Sequence, residues 1–142
     1  MGLSPARWLI DKSAISRLPR IEVADVVWGH VAAGLVGVSI VTELEMGFSA
    51  RSTADYRETR QTLVDRLLQV PLPFRAEQRA REVQAALVER GEHRSAGVAD
   101  LLLAATAEIG GLTVLHYDAD FDVIASVTGQ AMQWVVPRGT VD

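Results

Sequence analysis

Residues 98–116 read VADLLLAATAEIGGLTVLH, an apolar helix followed directly by a core strand. Small and branched apolar side chains fill Val98–Ile109, and Gly110–Gly111 supplies the stop that commonly ends a helix. Leu112–His116 is then a short apolar run of the length expected for a buried strand. A helix that leads straight into a buried strand is typical of parallel α/β sheets.

The alternation of strands and helices continues on both sides of this stretch. Further buried strands are predicted at Arg7–Asp11, Leu35–Ile40 and Met132–Val136. Val70–Phe74 contains two prolines, which favours a connector or an edge strand. Helices are predicted over Val23–Ala33, after a cap at Thr42, and over Tyr56–Leu68, Arg75–Arg90 and Asp120–Ser126. This pattern predicts an α/β fold with a mainly parallel central sheet and helices on both faces.

Length and composition indicate one domain. The chain has 142 residues, 49% of them hydrophobic, and shows no repeat or linker, so a single domain over residues 1–142 is predicted. No apolar run approaches the roughly 20 residues that cross a bilayer, and Met1–Ile10 lacks the features of a signal peptide. The absence of cysteine excludes thiolate metal sites and cysteine nucleophiles. We expect a cytoplasmic protein with no membrane association.

The charge is distributed unevenly along the chain. The net charge of −4 does not by itself suggest a nucleic-acid binder. Residues 95–142, however, carry six acidic side chains and a single basic one, Arg138. Such an acidic excess either faces water or converges on a place where it needs a cation.

Four acidic residues occupy matching positions on separate predicted elements. Asp11, Glu43 and Asp118 each follow a buried strand, and Asp100 lies in the first turn of the apolar helix. The C-terminal ends of parallel strands meet at one edge of a sheet, where functional sites gather. Clustered carboxylates repel one another and are stabilised by a hard cation such as Mg²⁺, which prefers oxygen ligands. Spacing alone leaves two interpretations open, a shared metal site or separate turn and cap residues.

Four segments, in order, resemble the PIN-domain family and, within it, the VapC toxins. The family's strand and D-x-S start is similar to WLIDKSAISRL at Trp8–Leu18. Its S-x-x-x-E-L-x-x-G element resembles SIVTELEMG at Ser39–Gly47, and its D-x-x-L-A-A-x-A helix resembles ADLLLAATAEIGG at Ala99–Gly111. Its final strand and D-x-D-F element resembles VLHYDADFDVI at Val114–Ile124. The resemblance covers nearly the whole chain and implies a PIN-like fold.

The resemblance also implies a set of site residues. Glu43 matches the family's second acid, because Leu44 and Gly47 complete its motif, and Glu45 lies out of that register. Ser13 matches a small hydroxyl that orients Asp11, or else caps the next helix. The implied catalytic acids are Asp11, Glu43, Asp100 and Asp118, with Asp120 as the alternative fourth acid, and the implied metal ligands are Asp11, Asp100 and Asp118.

Two residues depart from the family pattern. His116 stands where the family usually has Thr or Ser, and it is expected either to bond a carboxylate or phosphate or to be a satisfied, partly buried histidine. Lys12 stands where Thr is common, and it either touches a substrate phosphate or is solvated. Arg94, just before the Asp100 helix, is the best candidate for a further phosphate contact. Substrate choice is what these departures affect, because no carboxylate is lost.

The resemblance implies an Mg²⁺- or Mn²⁺-dependent endoribonuclease. VapC toxins cleave structured RNA such as tRNA or rRNA, dimerise, and are neutralised by a VapB antitoxin. A homodimer is therefore expected, and the apolar surface predicted on helices 13–33 and 42–50 exceeds what a small sheet covers. A catalytically silent PIN-like module that binds RNA or protein is the alternative. A phosphoacceptor receiver domain would need a late lysine, and Lys12 is the only lysine.

Overall fold

A five-stranded parallel sheet forms the centre of the computed structural model, which describes residues 5–142. The order of the strands is β3-β2-β1-β4-β5, and every neighbouring pair is parallel. The strands are β1 (Trp8–Ile10), β2 (Val36–Ser39), β3 (Leu68–Val70), β4 (Thr113–His116) and β5 (Met132–Trp134). The predicted α/β fold with a mainly parallel sheet is therefore confirmed.

Seven helices connect these strands. They are α1 (Lys12–Ile15), α2 (Ile21–Ala32), α3 (Ile40–Phe48), α4 (Thr53–Thr62), α5 (Ala76–Glu89), α6 (Val98–Gly110) and α7 (Asp120–Thr128). Two short 3₁₀ turns lie at Val64–Arg66 and His93–Ser95. Within residues 5–142, no helix combines the length and the apolar character required to cross a membrane.

The sheet is covered on both faces because successive strand residues point in opposite directions. Trp8 and Ile10 of β1 pack with the buried residues of α1 and α2, whereas Leu9 packs with those of α5, α6 and α7. Leu9 and Ile10 are fully buried. A strand buried on both faces has no polar alternation, and this explains why the predicted strands are continuous apolar runs.

The sequence prediction was wrong for the segment between α3 and α5. Tyr56–Leu68 was predicted as one helix, but α4 ends at Thr62 and the edge strand is Leu68–Val70, just before the prolines. Gly37 of β2 permits this strand to approach, since a Cβ there would lie 2.4 Å from Cγ2 of Val70. Residues 68–70 pair with β2, so their main-chain groups form hydrogen bonds in the sheet. A helix that continued to Leu68 would have excluded this pairing.

The start of α3 was also predicted wrongly. Thr42 was expected to cap this helix, but Ser39 is the cap, and its Oγ accepts a hydrogen bond from the Val41 amide at 3.1 Å. Thr42 is buried one turn later, and its hydroxyl donates to the Ile10 carbonyl at 3.5 Å. The helix therefore begins immediately after the strand, which fixes the face that α3 turns toward the end of β1.

Candidate metal centre

Three carboxylates meet where β4 ends and α6 begins. Asp100, Asp118 and Asp120 each place one oxygen within 4.8 Å of the other two. Asp100 is the third residue of α6, and its Oδ2 accepts a hydrogen bond from the Gly97 amide at 3.1 Å. Asp118 lies in the turn after β4, where its Oδ1 accepts from the Asp120 amide at 2.9 Å. Backbone contacts thus hold these acids in place although like charges repel.

Asp11 lies beside this trio at the end of β1. Its amide donates to the Leu115 carbonyl at 2.9 Å, so the pairing of β1 with β4 brings Asp11 next to the Asp118 turn. Its Oδ2 accepts from the Ser13 amide at 2.8 Å and so caps α1. We call Asp11, Asp100, Asp118 and Asp120 the acid centre.

Burial and the repulsion of neighbouring acids raise the pKa values of Asp11, Asp100 and Asp120. The pKa of Asp100 rises from 3.8 to about 7, mainly through burial and then through the charges of Asp11, Asp118 and Asp120. Burial is also the main cause that raises the pKa of Asp11 and of Asp120, and the charge of Asp118 adds to both.

The acid centre has no basic partner. Among residues 5–142, no lysine or arginine forms an ion pair with any of its four carboxylates. A partly buried group of carboxylates that forms no ion pair with a positive side chain fits a bound cation. The donor set consists of oxygen alone, which is the set that Mg²⁺ and Mn²⁺ prefer.

Glu43 and Glu45 point to different parts of the molecule. Glu43 is almost buried and pairs with Arg60 of α4 at 3.0 Å, so the structure does not bring this predicted acid to the acid centre. Glu45 has a raised pKa, caused first by burial and then by the charge of Asp11. Residues two apart on a helix lie on opposite sides, so only one of the two can face Asp11.

The sequence analysis placed Glu45 out of the register of the family motif, although its spacing relates it to a residue that contacts β1. Glu45 follows Thr42 by three residues and therefore lies on the same side of α3. Thr42 contacts the carbonyl of Ile10, the residue immediately before Asp11. Because Thr42 is buried against the end of β1, the spacing of three residues places Glu45 on the face of α3 that meets β1.

Ser13 joins Asp11 to the turn after β4. Its Oγ accepts a hydrogen bond from the Tyr117 amide at 2.9 Å, and its hydroxyl also hydrogen-bonds to Asp11, which lowers the pKa of that acid. Ser13 does not cap the following helix, because the side chain of Asp11 does so. The geometry is that of a residue that orients Asp11.

His116 is fully buried and supports the same turn. Its Nδ1 accepts a hydrogen bond from the Asp118 amide at 3.1 Å, and its ring packs against Phe121 and Trp134, with centroids 5.0 Å away in each case. Burial lowers its pKa to about 4, so the imidazole is neutral at ordinary pH. His116 therefore contacts the main chain of Asp118 and does not face solvent.

The two predicted RNA-binding cations differ in their surroundings. Lys12 is half-buried, and its Nζ donates to the Ser49 hydroxyl at 2.5 Å, so it is not a freely solvated lysine. Arg94 is exposed in the 3₁₀ turn before α6. Its contact with a phosphate stays a prediction.

Two openings flank the acid centre. One, of about 580 Å³, is a largely apolar groove between α3 and α6, with Lys12 and Glu45 on the side nearest Asp11. Its apolar wall consists of Val41, Leu44, Phe48, Val98 and Leu102. The other, of about 510 Å³, is a polar cleft on the Asp118 side. The polar cleft is lined by Ser13, Arg17, Tyr117, Asp118, Trp134 and Arg138, among others.

Comparison with known proteins defines the class. The sequence profile of the PIN domain matches residues 9–127, and the chain belongs to the PIN-domain family. Its relatives there are VapC proteins. It is 44% identical over 137 residues to Ribonuclease VapC2 of Mycobacterium tuberculosis, and the alignment covers 96% of this chain and 97% of that protein. It is also 42% identical over 136 residues to Ribonuclease VapC51 of the same species, which covers 96% and 98%.

A solved structure has the same fold. The crystal structure of DNA-bound VapBC from Salmonella typhimurium contains a chain that matches with a TM-score of 0.75. The match covers 92% of this chain and 99% of that one at 18% identity. The resemblance recognised in the four sequence motifs is confirmed.

Proposed function

We propose that this protein is the toxin of a VapBC-type pair, a divalent-metal-dependent endoribonuclease that hydrolyses phosphodiester bonds in structured RNA. The observation that carries the proposal is the acid centre, whose carboxylates are drawn together and partly buried and form no ion pair with a basic side chain of residues 5–142. Its relatives named as VapC ribonucleases support the reaction class.

In this proposal Asp11, Asp100 and Asp118 would hold Mg²⁺ or Mn²⁺, and Asp120 would contribute a further oxygen. When bound, the cation would supply positive charge that polarises a phosphoryl oxygen and activates a water molecule for attack. Ser13 keeps Asp11 oriented, and His116 holds the main chain at Asp118. Glu45 takes the role that the sequence motif had given to Glu43, because burial and then the charge of Asp11 raise the pKa of Glu45.

The family resemblance also suggests a substrate and partners. We infer that the RNA is tRNA or rRNA, that the protein acts in the cytoplasm, and that it forms a homodimer through exposed apolar residues such as Ile21 and Ile40. A VapB-type antitoxin would neutralise it. The apolar groove suits a helical antitoxin segment, since Phe48 is 92% and Val98 75% exposed there.

An antitoxin arginine would complete this inhibition. A guanidinium stays charged and binds carboxylates through paired hydrogen bonds, so it can neutralise the acid centre in place of the metal. Replacing that arginine by alanine in the antitoxin should restore part of the nuclease activity. Full inhibition by the alanine variant would instead mean that the antitoxin simply covers the RNA site.

Cleavage of purified tRNA and rRNA, with Mg²⁺ and then with excess EDTA, tests the proposed reaction. We expect cleavage only with the cation, and heat release on titration of the protein with Mn²⁺ in the absence of RNA. Asp100→Asn should lose both properties, whereas Glu43→Gln should keep the Mn²⁺ signal. A protein that binds RNA but never cleaves it with Mg²⁺ or Mn²⁺ would instead be the catalytically silent PIN-like module.

A further inference from the structure

The polar cleft has the properties of a site for a nucleic-acid backbone. We propose that it binds a phosphate of the RNA strand next to the bond that is cut, and that Arg138 is the residue that contacts this phosphate. The proposal rests on the proposed ribonuclease function and adds to it a place for the substrate. Because Asp118 belongs both to the cleft and to the acid centre, a strand lying in the cleft leads directly to the metal position.

Arg138 is the free cation of this region. It is the single basic residue among residues 95–142. It is exposed, and within residues 5–142 its guanidinium has no ion pair with a carboxylate. It lies over the ring of Trp134, with its Cζ 5.7 Å from the ring centroid. Stacking on an aromatic ring restrains the guanidinium and leaves its N–H groups available at the edges.

Trp134 is held as a fixed support for Arg138. Its Nε1 donates to both carboxylate oxygens of Asp122, at 3.2 and 3.1 Å. Its ring meets Tyr117 edge to face, with the centroids 5.2 Å apart, and also packs against His116. These contacts restrict rotation of the Trp134 ring, so Arg138, which stacks on it, keeps its position.

The segment that carries Arg138 is also tied down. The hydroxyl of Tyr117 donates to the Val141 carbonyl at 2.7 Å and accepts from the Gly139 amide at 2.9 Å. Tyr117 is itself buried. The residues that directly follow Arg138 are therefore anchored to the strand end that carries Asp118, so little entropy is lost when a phosphate binds.

Arg17 adds a second positive charge on the opposite wall. Its guanidinium lies 4.6 Å from the centroid of the Tyr117 ring and donates to main-chain oxygens of Ser13 and Asp142, at 2.8 and 2.6 Å. The carboxylate of Asp142 turns instead to Arg20, at 3.4 Å. Arg17 and Arg138 thus both line the cleft together with Asp118, and Asp122 accepts the hydrogen bond of the Trp134 indole.

These contacts favour recognition of the backbone rather than of a base. Among the described residues that line the cleft, Trp134 lies between Arg138 and His116, and Tyr117 is buried, so these rings offer little surface on which a base could stack. A guanidinium binds phosphate oxygens through paired hydrogen bonds and carries no sequence information. The cleft should therefore contribute equally to the binding of different RNA sequences.

The chain offers a matched control for Arg138. Arg7 is also exposed and also stacks on a tryptophan, with its Cζ 5.4 Å from the Trp8 centroid. It precedes β1 and therefore lies at the opposite edge of the sheet from the acid centre. Arg7→Gln and Arg138→Gln make the same change in charge and in stacking, at the two ends of the strands.

Fluorescence anisotropy with labelled bulk tRNA tests the cleft in the Asp100→Asn background, which prevents cleavage. We expect Arg138→Gln to weaken binding about tenfold and to reduce the slope of log K against log salt by about 0.7 to 0.9. Arg138→Lys should keep the slope and lose only part of the affinity. Arg7→Gln should change neither quantity, and thermal unfolding would verify that all variants are folded.

The outcomes separate the cleft from the proposed function. Equal affinity and slope for Arg138→Gln and Arg7→Gln would overturn the phosphate site, even if the native protein cleaves RNA. If the native protein cleaves nothing while the slope still depends on Arg138, the nuclease proposal fails and the cleft stands. Loss of antitoxin binding, with tRNA binding intact, would assign the cleft to the protein partner and would also overturn the proposal.

Discussion

The apolar groove and the polar cleft lie on either side of one acid centre but differ in chemistry. The groove presents Phe48, Leu44 and Val98 to solvent, whereas the cleft presents Arg138 on a ring fixed by hydrogen bonds. Apolar side chains gain by burial against another protein, and a restrained guanidinium gains by binding a phosphate. The difference suggests that inhibitor and substrate reach the same carboxylates from opposite sides.

The largest effect is expected where the two openings meet. Asp100→Asn removes a charge from the acid centre but keeps the size of the side chain, and its amide can still accept the hydrogen bond from Gly97. We expect RNA cleavage to fall by more than about 100-fold, since the cation loses a ligand. An Asp100→Asn protein that cleaves tRNA as fast as the native one would remove the acid centre from the mechanism. Asp25→Asn, an exposed aspartate on α2, is the control.

The second prediction concerns the two glutamates of α3. Glu45 lines the apolar groove, and burial and the charge of Asp11 raise its pKa, whereas Glu43 pairs with Arg60. Glu45→Gln should slow cleavage about 10- to 100-fold with little change in tRNA affinity. Glu43→Gln should leave cleavage within about threefold and lower the unfolding temperature, because Arg60 loses its partner. The opposite ranking of the two rates would return Glu43 to the site.

The third prediction tests whether the groove serves the antitoxin alone. Phe48→Ser should weaken binding of the proposed VapB-type antitoxin about 10- to 100-fold, because an exposed aromatic anchor is lost. Its affinity for labelled tRNA in the Asp100→Asn background should not change. Phe74→Ser is the control, since Phe74 is 98% exposed outside the groove. If Phe48→Ser weakens tRNA and antitoxin equally, the division between the two openings is wrong.

The sequence predicted the elements of the fold better than it predicted the orientation of the site residues. Apolar runs and the Gly110–Gly111 stop identify the strands and α6, because burial and helix ends leave local signals. The orientations of Glu43 and Glu45 depend on where α3 begins, and the cap lies at Ser39 rather than at the predicted Thr42, so the start of the helix rotates both side chains. A motif match alone does not record such a rotation.

The cleft was hidden from the sequence for a different reason. Trp134, Tyr117 and Arg138 are ordinary residues in their local context, and aromatic residues near a strand are usually part of the core. Tyr117 is indeed buried, but its hydroxyl fixes Gly139 and Val141 and thereby places Arg138. Only the tertiary contact between the turn after β4 and the last residues creates the site.

The smallest effect concerns the stability of the metal-free protein. In the folded state the pKa of Asp100 is about 7, whereas the ordinary value is 3.8. Between pH 3.8 and about 7, the folded state therefore binds a proton on Asp100 that the unfolded state does not bind. Above this range Asp100 is charged in both states and destabilises the fold, and the destabilisation disappears as pH falls through the range. In EDTA, Asp100→Asn should thus be more stable than the native protein by on the order of 1–3 kcal/mol at about pH 8 and unfold at a higher temperature, and this difference should narrow as pH falls from about 7 toward 3.8. Saturating Mg²⁺ should reverse the order at about pH 8, because only the native carboxylate gains from the cation. Calorimetric scans of both proteins measure this difference in stability. A difference that does not change with pH would mean that burial and the neighbouring charges do not raise the pKa of Asp100.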